Sequence, residues 1–329
     1  ANPVCTHVAV RDGLILGAGT LDEVAGWGDY ELDETFTNLV IIPGFVEAHA
    51  HIMAAGILQL PYVGFFDRKL ADGSTAPGIK SYPALIEKLK TEDAKLENPT
   101  APLVAGGFDP IYFPDEPRLT RAHLDQVSTT RAIYLHHASG HLATANTAML
   151  ERNGVTRDLQ IEGLGRSADG DLDGELREPP AMGTCRDAMR IVHFANSTES
   201  ALRDFGAMAR NVGITTCTDL AGQSILVPKM LSMWQEVTAE ERYPLRIAQY
   251  NIPAIPGAQA DFDAVADQFI ELQRKASEKL RFPGVKFVLD GSIQGFSALI
   301  KPPSYYRGED HGQLLTVPDQ FLDWLRPFH

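Results

Sequence analysis

Apolar strand-like runs alternate with helix-like segments from residue 43 onward, and this alternation limits the folds open to the chain. Strands are predicted at 102–107, 131–135, 213–219, 245–250 and 284–289, and helices at 81–90, 144–153, 198–211, 227–237 and 262–280. Strands separated by helices form parallel βαβ units with right-handed crossovers. The sequence therefore predicts an α/β fold.

Ionisable side chains recur just after the predicted strands. His49, His51, Asp219 and Asp290 each follow or end an apolar run. Active sites of (β/α) barrels lie at the carboxyl ends of the strands, so this placement favours a barrel. An open, doubly wound sheet is the alternative, but no GxGxxG or P-loop pattern follows any strand.

The first of these strand ends carries the pattern His-x-His, at His49 and His51. Alternate side chains of a strand point to the same face, so the two imidazoles share one side. Two neutral imidazoles suit Zn, Fe, Ni or Cu, with further ligands from elsewhere. Two histidines held by backbone hydrogen bonds are the alternative, and the bare pattern does not decide between them.

Two segments depart from the alternation. Residues 1–42 are predicted to form a small β unit, with a hairpin around an Asp12-Gly13 turn and a further strand at 37–42. Residues 157–180 are rich in Asp and Gly, which predicts a loop or small hairpin outside the core, within an insertion at about 151–195. The acidic residues there do not follow the spacing of an EF-hand.

Composition narrows the classes of function. The formal net charge of the 329 residues is −14, and no basic cluster offsets it, which argues against nucleic acid or an anionic membrane as partner. A small-molecule substrate is expected, and a homo-oligomer is compatible. Cys5, Cys185 and Cys217 form neither a CxxC pattern nor a disulfide framework, which fits a reducing, cytoplasmic location.

The residues around the two histidines resemble a known family signature. Residues 43–51, PGFVEAHAH, are similar to the PGFxDxHxH motif on the first strand of the amidohydrolase superfamily, with Glu47 where Asp is more usual. The resemblance implies a metal-bearing (β/α)8 TIM-type barrel of the metal-dependent hydrolase type beside a small β-sandwich domain. Residues 1–42 would then supply the N-terminal part of the sandwich, and residues 43–329 the barrel.

Five further segments narrow the resemblance to the YtcJ-like, or amidohydrolase 3, branch, a group that includes N-substituted formamide deformylase. In chain order they are 106–109 (GGFD), 139–150 (SGHLATANTAML), 174–178 (GELRE), 213–219 (GITTCTD) and 285–292 (VKFVLDGS). The resemblance implies a metal-activated water that hydrolyses an amide, formamide or similar C–N bond. It also implies one or two divalent metal ions, zinc first, with manganese or iron as alternatives.

Lys286 lies within an apolar run, where burial disfavours the ammonium form and lowers the pKa. A neutral amine can react with CO2. Related enzymes carry such a carboxylated lysine, and the resemblance implies that Lys286 is a metal ligand of this kind, bridging two ions. A lysine that reaches the barrel rim or pairs with Asp290 is the alternative.

Two residues are the catalytic candidates. His141 follows a strand, in a loop after Gly140, and the matching family position faces the substrate, where it would orient or stabilise the developing oxyanion. A loop histidine hydrogen-bonded to the backbone is the alternative. Asp219 ends a predicted strand as a ligand or a partner of the ligands, or else as a helix N-cap. Its motif assigns Glu178 to a substrate-facing loop.

Other ligands that the family supplies are missing. They are histidines after the fifth and sixth strands and an aspartate after the eighth, which is the usual proton shuttle. His311 lies in a polar turn and His193 in a helical context, and neither matches these motifs. We therefore expect the 329 residues to be part of a longer polypeptide, lacking the last strands of the barrel. A carboxylate outside them would protonate the leaving amine.

Two other functions stay open. A barrel without catalytic activity, which binds a small molecule or regulates a partner, fits the incomplete ligand set, because fold does not decide function. A metal-dependent lyase or isomerase would use the same site. The missing histidine and aspartate positions, if present in a continuation of the chain, distinguish an enzyme from a binding protein.

Overall fold

The computed structural model describes residues 4–192, 198–254, 260–305, 312, 314–316 and 318–329, with only the backbone for residues 53–56 and 318. The predictions for His193 and His311 lie outside the described residues. The chain divides into two compact units, Ala1–Pro43 and Gly44–His329. Within the described ranges, no helix has both the length and the apolar character needed to cross a membrane.

The first unit contains a β-hairpin and a short helix. Strand β1 (His7–Arg11) pairs antiparallel with β2 (Leu14–Gly19), and helix α1 (Leu21–Ala25) follows. Asp12 and Gly13 join the strands with φ angles of 52° and 75°. A type I′ turn requires positive φ at both of its central residues, which is why this dipeptide predicts a hairpin. The hairpin prediction is confirmed.

The strand predicted at 37–42 is wrong, because these residues lie outside every described strand. Their apolar side chains do not pack in this unit, and Val40 is 90 % exposed. A strand gains its stability from a paired neighbour and a buried face, so β propensity alone does not form one.

The second unit holds the remaining elements. Its strands are β3 (Phe45–Ala50), β4 (Arg68–Lys69), β5 (Thr75–Ala76), β6 (Leu103–Phe108), β7 (Ile133–His137), β8 (Leu142–Ala145), β9 (Leu164–Arg166), β10 (Leu172–Arg177), β11 (Ile214–Gly222), β12 (Arg246–Asn251) and β13 (Leu280–Val285). Its helices are α2 (Tyr82–Asp93), α3 (Arg121–Asp125), α4 (Thr147–Arg152), α5 (Glu178–Met182), α6 (Arg186–Arg190), α7 (Glu199–Asn211), α8 (Pro228–Ala239), α9 (Phe262–Gln273) and α10 (Pro318–Leu325).

A four-stranded parallel sheet carries most of the predicted site residues. Its spatial order is β13-β12-β11-β3, and every neighbouring pair is parallel. Helices α7, α8 and α9 alternate with its later strands, and Trp234 of α8 packs with Leu280 of β13 in one buried cluster. Because parallel strands end at the same edge of a sheet, this order brings the residues after β3, β12 and β13 to one side.

Strands from the middle of the sequence form a five-stranded mixed sheet, in the order β6-β7-β8-β10-β9. The expectation that residues 157–180 stay outside the core is wrong. Strand β10 pairs with both β8 and β9, and Leu164, Leu172 and Leu176 are buried. The many Asp and Gly residues of this segment predicted a surface loop. The leucines of β9 and β10 nevertheless pack into the core.

The described strands form open sheets. The α/β class is confirmed, and the closed barrel stays a prediction. One boundary differs from expectation: the helix predicted at 262–280 ends at Gln273, and β13 starts four residues before the predicted strand at 284–289. Pro283 lies within β13, and it is tolerated because β13 is at the edge of its sheet, where a missing N–H breaks no second ladder.

Candidate active site

The two histidines of the His-x-His pattern are neighbours at the carboxyl end of β3. The ring centroids of His49 and His51 are 5.1 Å apart, and the ring planes make an angle of 81°. The backbone N–H of His49 donates to Glu47 Oε1 at 2.9 Å. Glu47 therefore stabilises the end of β3 through this hydrogen bond. It provides the acceptor at the position where the family motif has Asp.

The environment of this pair favours neutral imidazoles. Burial lowers the pKa of His49, and the positive charge of Lys286 lowers it further. Both histidines keep substantial solvent exposure, but desolvation by the surrounding protein atoms lowers the pKa of His51 to about 4. The charges of His49, Lys286 and His141 act on His51 in the same direction, which places all three near its ring. A neutral imidazole is the form that binds a metal ion.

Lys286 lies one residue past β13, not inside a strand as the apolar run predicted, because β13 ends at Val285. Its backbone N–H donates to the carbonyl of Asn251 at 2.9 Å, so the pairing of β12 and β13 continues to this point. Burial lowers the pKa of the Lys286 amine, in the direction expected. The backbone therefore places the partly desolvated amine of Lys286 at the same edge of the sheet as the two histidines.

The predicted alternative partner of Lys286 is engaged elsewhere. The carboxylate of Asp290 accepts a hydrogen bond from the backbone N–H of Leu299 at 2.9 Å. Across the residues with described side chains, Lys286 forms no ion pair at all. The positive charge of Lys286 lowers the pKa of both imidazoles, and the carboxylate of Glu47 opposes this effect at His49.

Asp219 lies inside β11, three residues before its end, so it is not a helix N-cap. Its side chain is fully buried and accepts hydrogen bonds from the backbone N–H groups of Ile52 at 3.3 Å and Ala221 at 3.0 Å. Burial raises the pKa of Asp219 to about 7, and these hydrogen bonds oppose the shift. The Asp219 carboxylate is thus engaged by backbone N–H groups.

A chain of buried amides extends from Asp219 along β12. Gln249 donates through Nε2 to Asp219 Oδ2 at 3.4 Å and accepts from Ser224 Oγ at 2.6 Å. Asn251 Nδ2 donates to Gln249 Oε1 at 3.4 Å. Gln249 and Asn251 are completely buried. Sequence reasoning missed both, although two polar residues at alternate positions of an apolar strand were a signal.

His141 has a carboxylate partner, not the backbone partner of the alternative interpretation. Its Nδ1 lies 2.7 Å from Oε2 of Glu178, whose side chain is fully buried. The predicted substrate-facing loop is thus a buried turn at the start of α5. The sequence signals for this pair were the motifs at 139–150 and 174–178, and neither of them indicated the contact.

The described side chains contain no group of three or more His, Cys, Asp or Glu that could hold a metal ion. His49, His51 and Lys286 are brought together, and His141 lies within electrostatic reach of His51. Asp219 is linked to them through the backbone, by its pairing with Ala50 and by its hydrogen bond from Ile52. The arrangement offers two imidazole donors and one amine of lowered pKa, open to completion by other ligands.

Comparisons with known proteins indicate which family this chain resembles. A sequence model described as amidohydrolase family matches residues 37–320. The chain is 23 % identical over 304 residues to a putative amidohydrolase, YtcJ, of Bacillus subtilis (strain 168), covering 90 % of this chain and 52 % of that protein. It is 25 % identical over 262 residues to N-substituted formamide deformylase of Arthrobacter pascens, covering 75 % and 44 %.

A third relative is the protein LONG AFTER FAR-RED 3 of Arabidopsis thaliana, 23 % identical over 327 residues, covering 98 % of this chain and 53 % of that protein. The chain thus spans about half the length of these curated relatives. A solved structure of an uncharacterised metal-dependent hydrolase from Pyrococcus horikoshii OT3 superposes with a TM-score of 0.55 at 17 % identity, covering 98 % of this chain and 58 % of that one. The structural likeness supports the α/β fold.

Proposed function

This chain belongs to the amidohydrolase family, in its amidohydrolase 3 branch, and on that premise we propose that it carries part of the active site of a metal-dependent hydrolase. The bond cleaved is an amide, formamide or similar C–N bond. One observation carries the proposal: two imidazoles of lowered pKa and the amine of Lys286 meet at the carboxyl edge of a parallel sheet.

The donor set fits a divalent metal ion. His49 and His51 are neutral near pH 7 because their pKa values are lowered, so their lone pairs are available for coordination. The lowered pKa of Lys286 favours the amine form, which takes up CO2 to become an anionic carbamate. Zinc is the first choice for such nitrogen and oxygen donors, with manganese or iron as alternatives.

The residues have separate tasks in the proposed site. A bound metal ion would polarise the scissile carbonyl and activate a water molecule. His49 and His51 would hold it, and carboxylated Lys286 would bridge to a second ion. Asp219 holds the backbone at Ile52, directly after His51, and so keeps the ligand pair in place. His141 would contact the substrate.

We also propose that the open sheets are parts of a (β/α)8 barrel completed outside the described residues. Support comes from the parallel order of β13-β12-β11-β3 and from a parallel bridge between Tyr62 and Gly106 that extends the sheet at β6. The curated relatives are about twice as long as this chain. A cytoplasmic location and a homo-oligomeric state stay predictions.

Metal analysis combined with hydrolysis assays tests the proposal. The full-length protein, prepared with zinc or manganese, is assayed against a panel of N-substituted formamides and anilides. We expect bound metal and hydrolysis of at least one panel member. The variants His49→Ala and His51→Ala should lose both, whereas His7→Ala, in the first unit, should lose neither.

Two results would contradict the proposal. One is hydrolysis that persists after complete chelation of metal. The other is His49→Ala protein with unchanged metal content. Metal binding without turnover of any amide, formamide or anilide would instead favour the binding-protein alternative.

A further inference from the structure

A fully buried carboxylate, Glu178, is joined to His141 by two hydrogen bonds. Glu178 Oε2 lies 2.7 Å from His141 Nδ1, and the Glu178 backbone N–H donates to the His141 carbonyl at 2.7 Å. The two residues are adjacent because β8 and β10 are antiparallel, with Leu142 opposite Arg177. Residues 141 and 178 therefore stand side by side just beyond the last pair of this ladder.

Burying the carboxylate of Glu178 costs free energy unless a hydrogen-bond partner compensates for the lost water, and His141 is such a partner. The Glu178 side chain has no exposed surface, whereas that of His141 is 28 % exposed. Among described groups, the second oxygen, Oε1, has no hydrogen-bond partner. Glu178 also has a φ of 64°, in the left-handed region that non-glycine residues rarely adopt. Strained backbone and unpaired buried polar atoms concentrate at functional sites.

The direction of the hydrogen bond follows from the chemistry of the partners. An ionised carboxylate can only accept, so the proton of the bond belongs to His141 Nδ1. In the neutral imidazole, Nε2 then carries a lone pair and no proton. We propose that Glu178 is a positioning residue that fixes this tautomer and so makes His141 Nε2 a hydrogen-bond acceptor toward the substrate.

The consequence for catalysis rests on the proposed hydrolase function. With its lone pair on Nε2, a neutral His141 accepts a hydrogen bond from an N–H or O–H donor of the substrate or of the attacking water. The proton transfer to the leaving amine stays with the carboxylate that the family resemblance implies. Glu178 determines which kind of hydrogen bond the His141 ring can make.

This assignment changes the role expected for His141. A neutral His141 whose proton is on Nδ1 cannot donate through Nε2 to an oxyanion, so stabilisation of an oxyanion requires the protonated ring. The Nδ1–H tautomer instead makes Nε2 an acceptor. Glu178 itself touches no reacting atom, and its effect passes through the ring.

Nitrogen NMR of the histidine rings tests the tautomer directly. The full-length, metal-loaded protein is labelled with 15N-histidine, and His141 is assigned by its absence from the His141→Gln spectrum. We expect the Nδ1–H tautomer in the wild type. In Glu178→Gln, which has the same shape, the amide can donate to Nδ1, so the proton should move to Nε2.

A matched control is Glu175→Gln. Glu175 is also buried, but its carboxylate bonds to Arg118 and Arg177 and not to a histidine. Its replacement should leave the His141 tautomer unchanged. A wild-type ring that is protonated on Nε2, or a tautomer that does not respond to Glu178→Gln, would overturn the proposal whether or not the protein hydrolyses amides.

Kinetics test the catalytic consequence with any substrate that the wild type accepts. Glu178→Gln should lower kcat/KM by roughly 10- to 100-fold, because Nε2 then carries the proton and can no longer accept a hydrogen bond, with metal content little changed. Glu178→Asp, which keeps the charge, should recover part of the rate. A switched tautomer with unchanged kcat/KM would show that His141 Nε2 accepts no hydrogen bond from the substrate, whereas absence of all hydrolysis in the wild type would count against the proposed function alone.

Discussion

The carboxylate of Asp219 accepts a hydrogen bond from the backbone N–H of Ile52, with 3.3 Å between Oδ1 and N. Ile52 directly follows His51, and Asp219 lies opposite Ala50 in the parallel pairing of β11 with β3. This candidate catalytic residue therefore acts on the backbone that carries the proposed metal ligands. Its replacement should weaken metal binding through the position of His51.

We expect Asp219→Ala to lower metal affinity by about 10- to 100-fold, the usual effect of losing a group that orients a ligand. Asp219→Asn keeps an acceptor oxygen for Ile52 and should lose less. Titration with zinc against a competing chelator measures both. Asp72→Ala, at an exposed turn, is the control. Equal affinity in wild type and Asp219→Ala would refute a role for this contact.

Asp219 should also make stability depend on pH. Burial raises its pKa in the folded state to about 7, above its usual value of about 3.9 in an unfolded chain. The folded state then holds the extra proton between these values, so stability falls as pH rises from about 4 to about 7. At about 1.4 kcal/mol per pKa unit, the loss is on the order of 2–4 kcal/mol.

Urea unfolding of metal-free protein across this range measures the effect. Asp219→Asn has no titrating group at this position, so its free energy of unfolding should gain on that of the wild type as pH rises. Parallel profiles for the two proteins would show that Asp219 does not titrate in this window.

Lys286→Ala should reduce the number of metal ions bound per chain, because the proposed bridging carbamate is removed. Acetate or propionate should restore part of the lost activity by occupying the vacated space. Labelling with 13C-bicarbonate should give a carbamate signal in the wild type only. Lys90→Ala, at an exposed helix position, should match the wild type. An unchanged metal count in Lys286→Ala would exclude the bridging role.

Gly291→Ala should disturb Glu178 without changing any polar group. A Cβ at this position would lie 2.3 Å from Glu178 Oε1 and 2.3 Å from the Ser297 carbonyl oxygen. Overpacking of this kind typically lowers stability by about 1–3 kcal/mol. We expect that loss in urea unfolding, together with a changed His141 ring spectrum.

The control for this substitution is Gly26→Ala. Gly26 has a φ of −67°, and a Cβ there would meet no atom within 4 Å. It should not lower stability, because alanine fits this backbone conformation and reduces the entropy of the unfolded chain, and it should leave the spectrum unchanged. Unchanged values in Gly291→Ala as well would show that the loop at 290–297 moves freely away from Glu178.

Local patterns predicted the features that few neighbouring residues decide. The Asp12-Gly13 turn formed because both residues tolerate positive φ. Ser81 and Thr198, the first residues of two predicted helices, cap α2 and α7 by accepting from the backbone N–H groups three residues on. In each case the residues that form the stabilising contact are at most three positions apart. The local sequence is therefore enough to predict the contact.

Contacts between distant segments were not predictable in the same way. Glu178 and His141 are 37 residues apart, and Asp219 and Ile52 are 167 apart. No spacing rule links such pairs, because their approach depends on which strands become neighbours. The strand at 37–42 failed for the same reason, since its apolar side chains acquired no partner in this unit.

The sequence by itself determined the family, the α/β class and the two histidines that share one face of β3, because motif order and strand periodicity are written along the chain. Only the tertiary structure decided that Asp219 holds backbone beside His51, that Lys286 follows a strand end, and that Glu178 lies buried against His141. These roles arise from strand order and burial, which set the distances and the local dielectric around each charge.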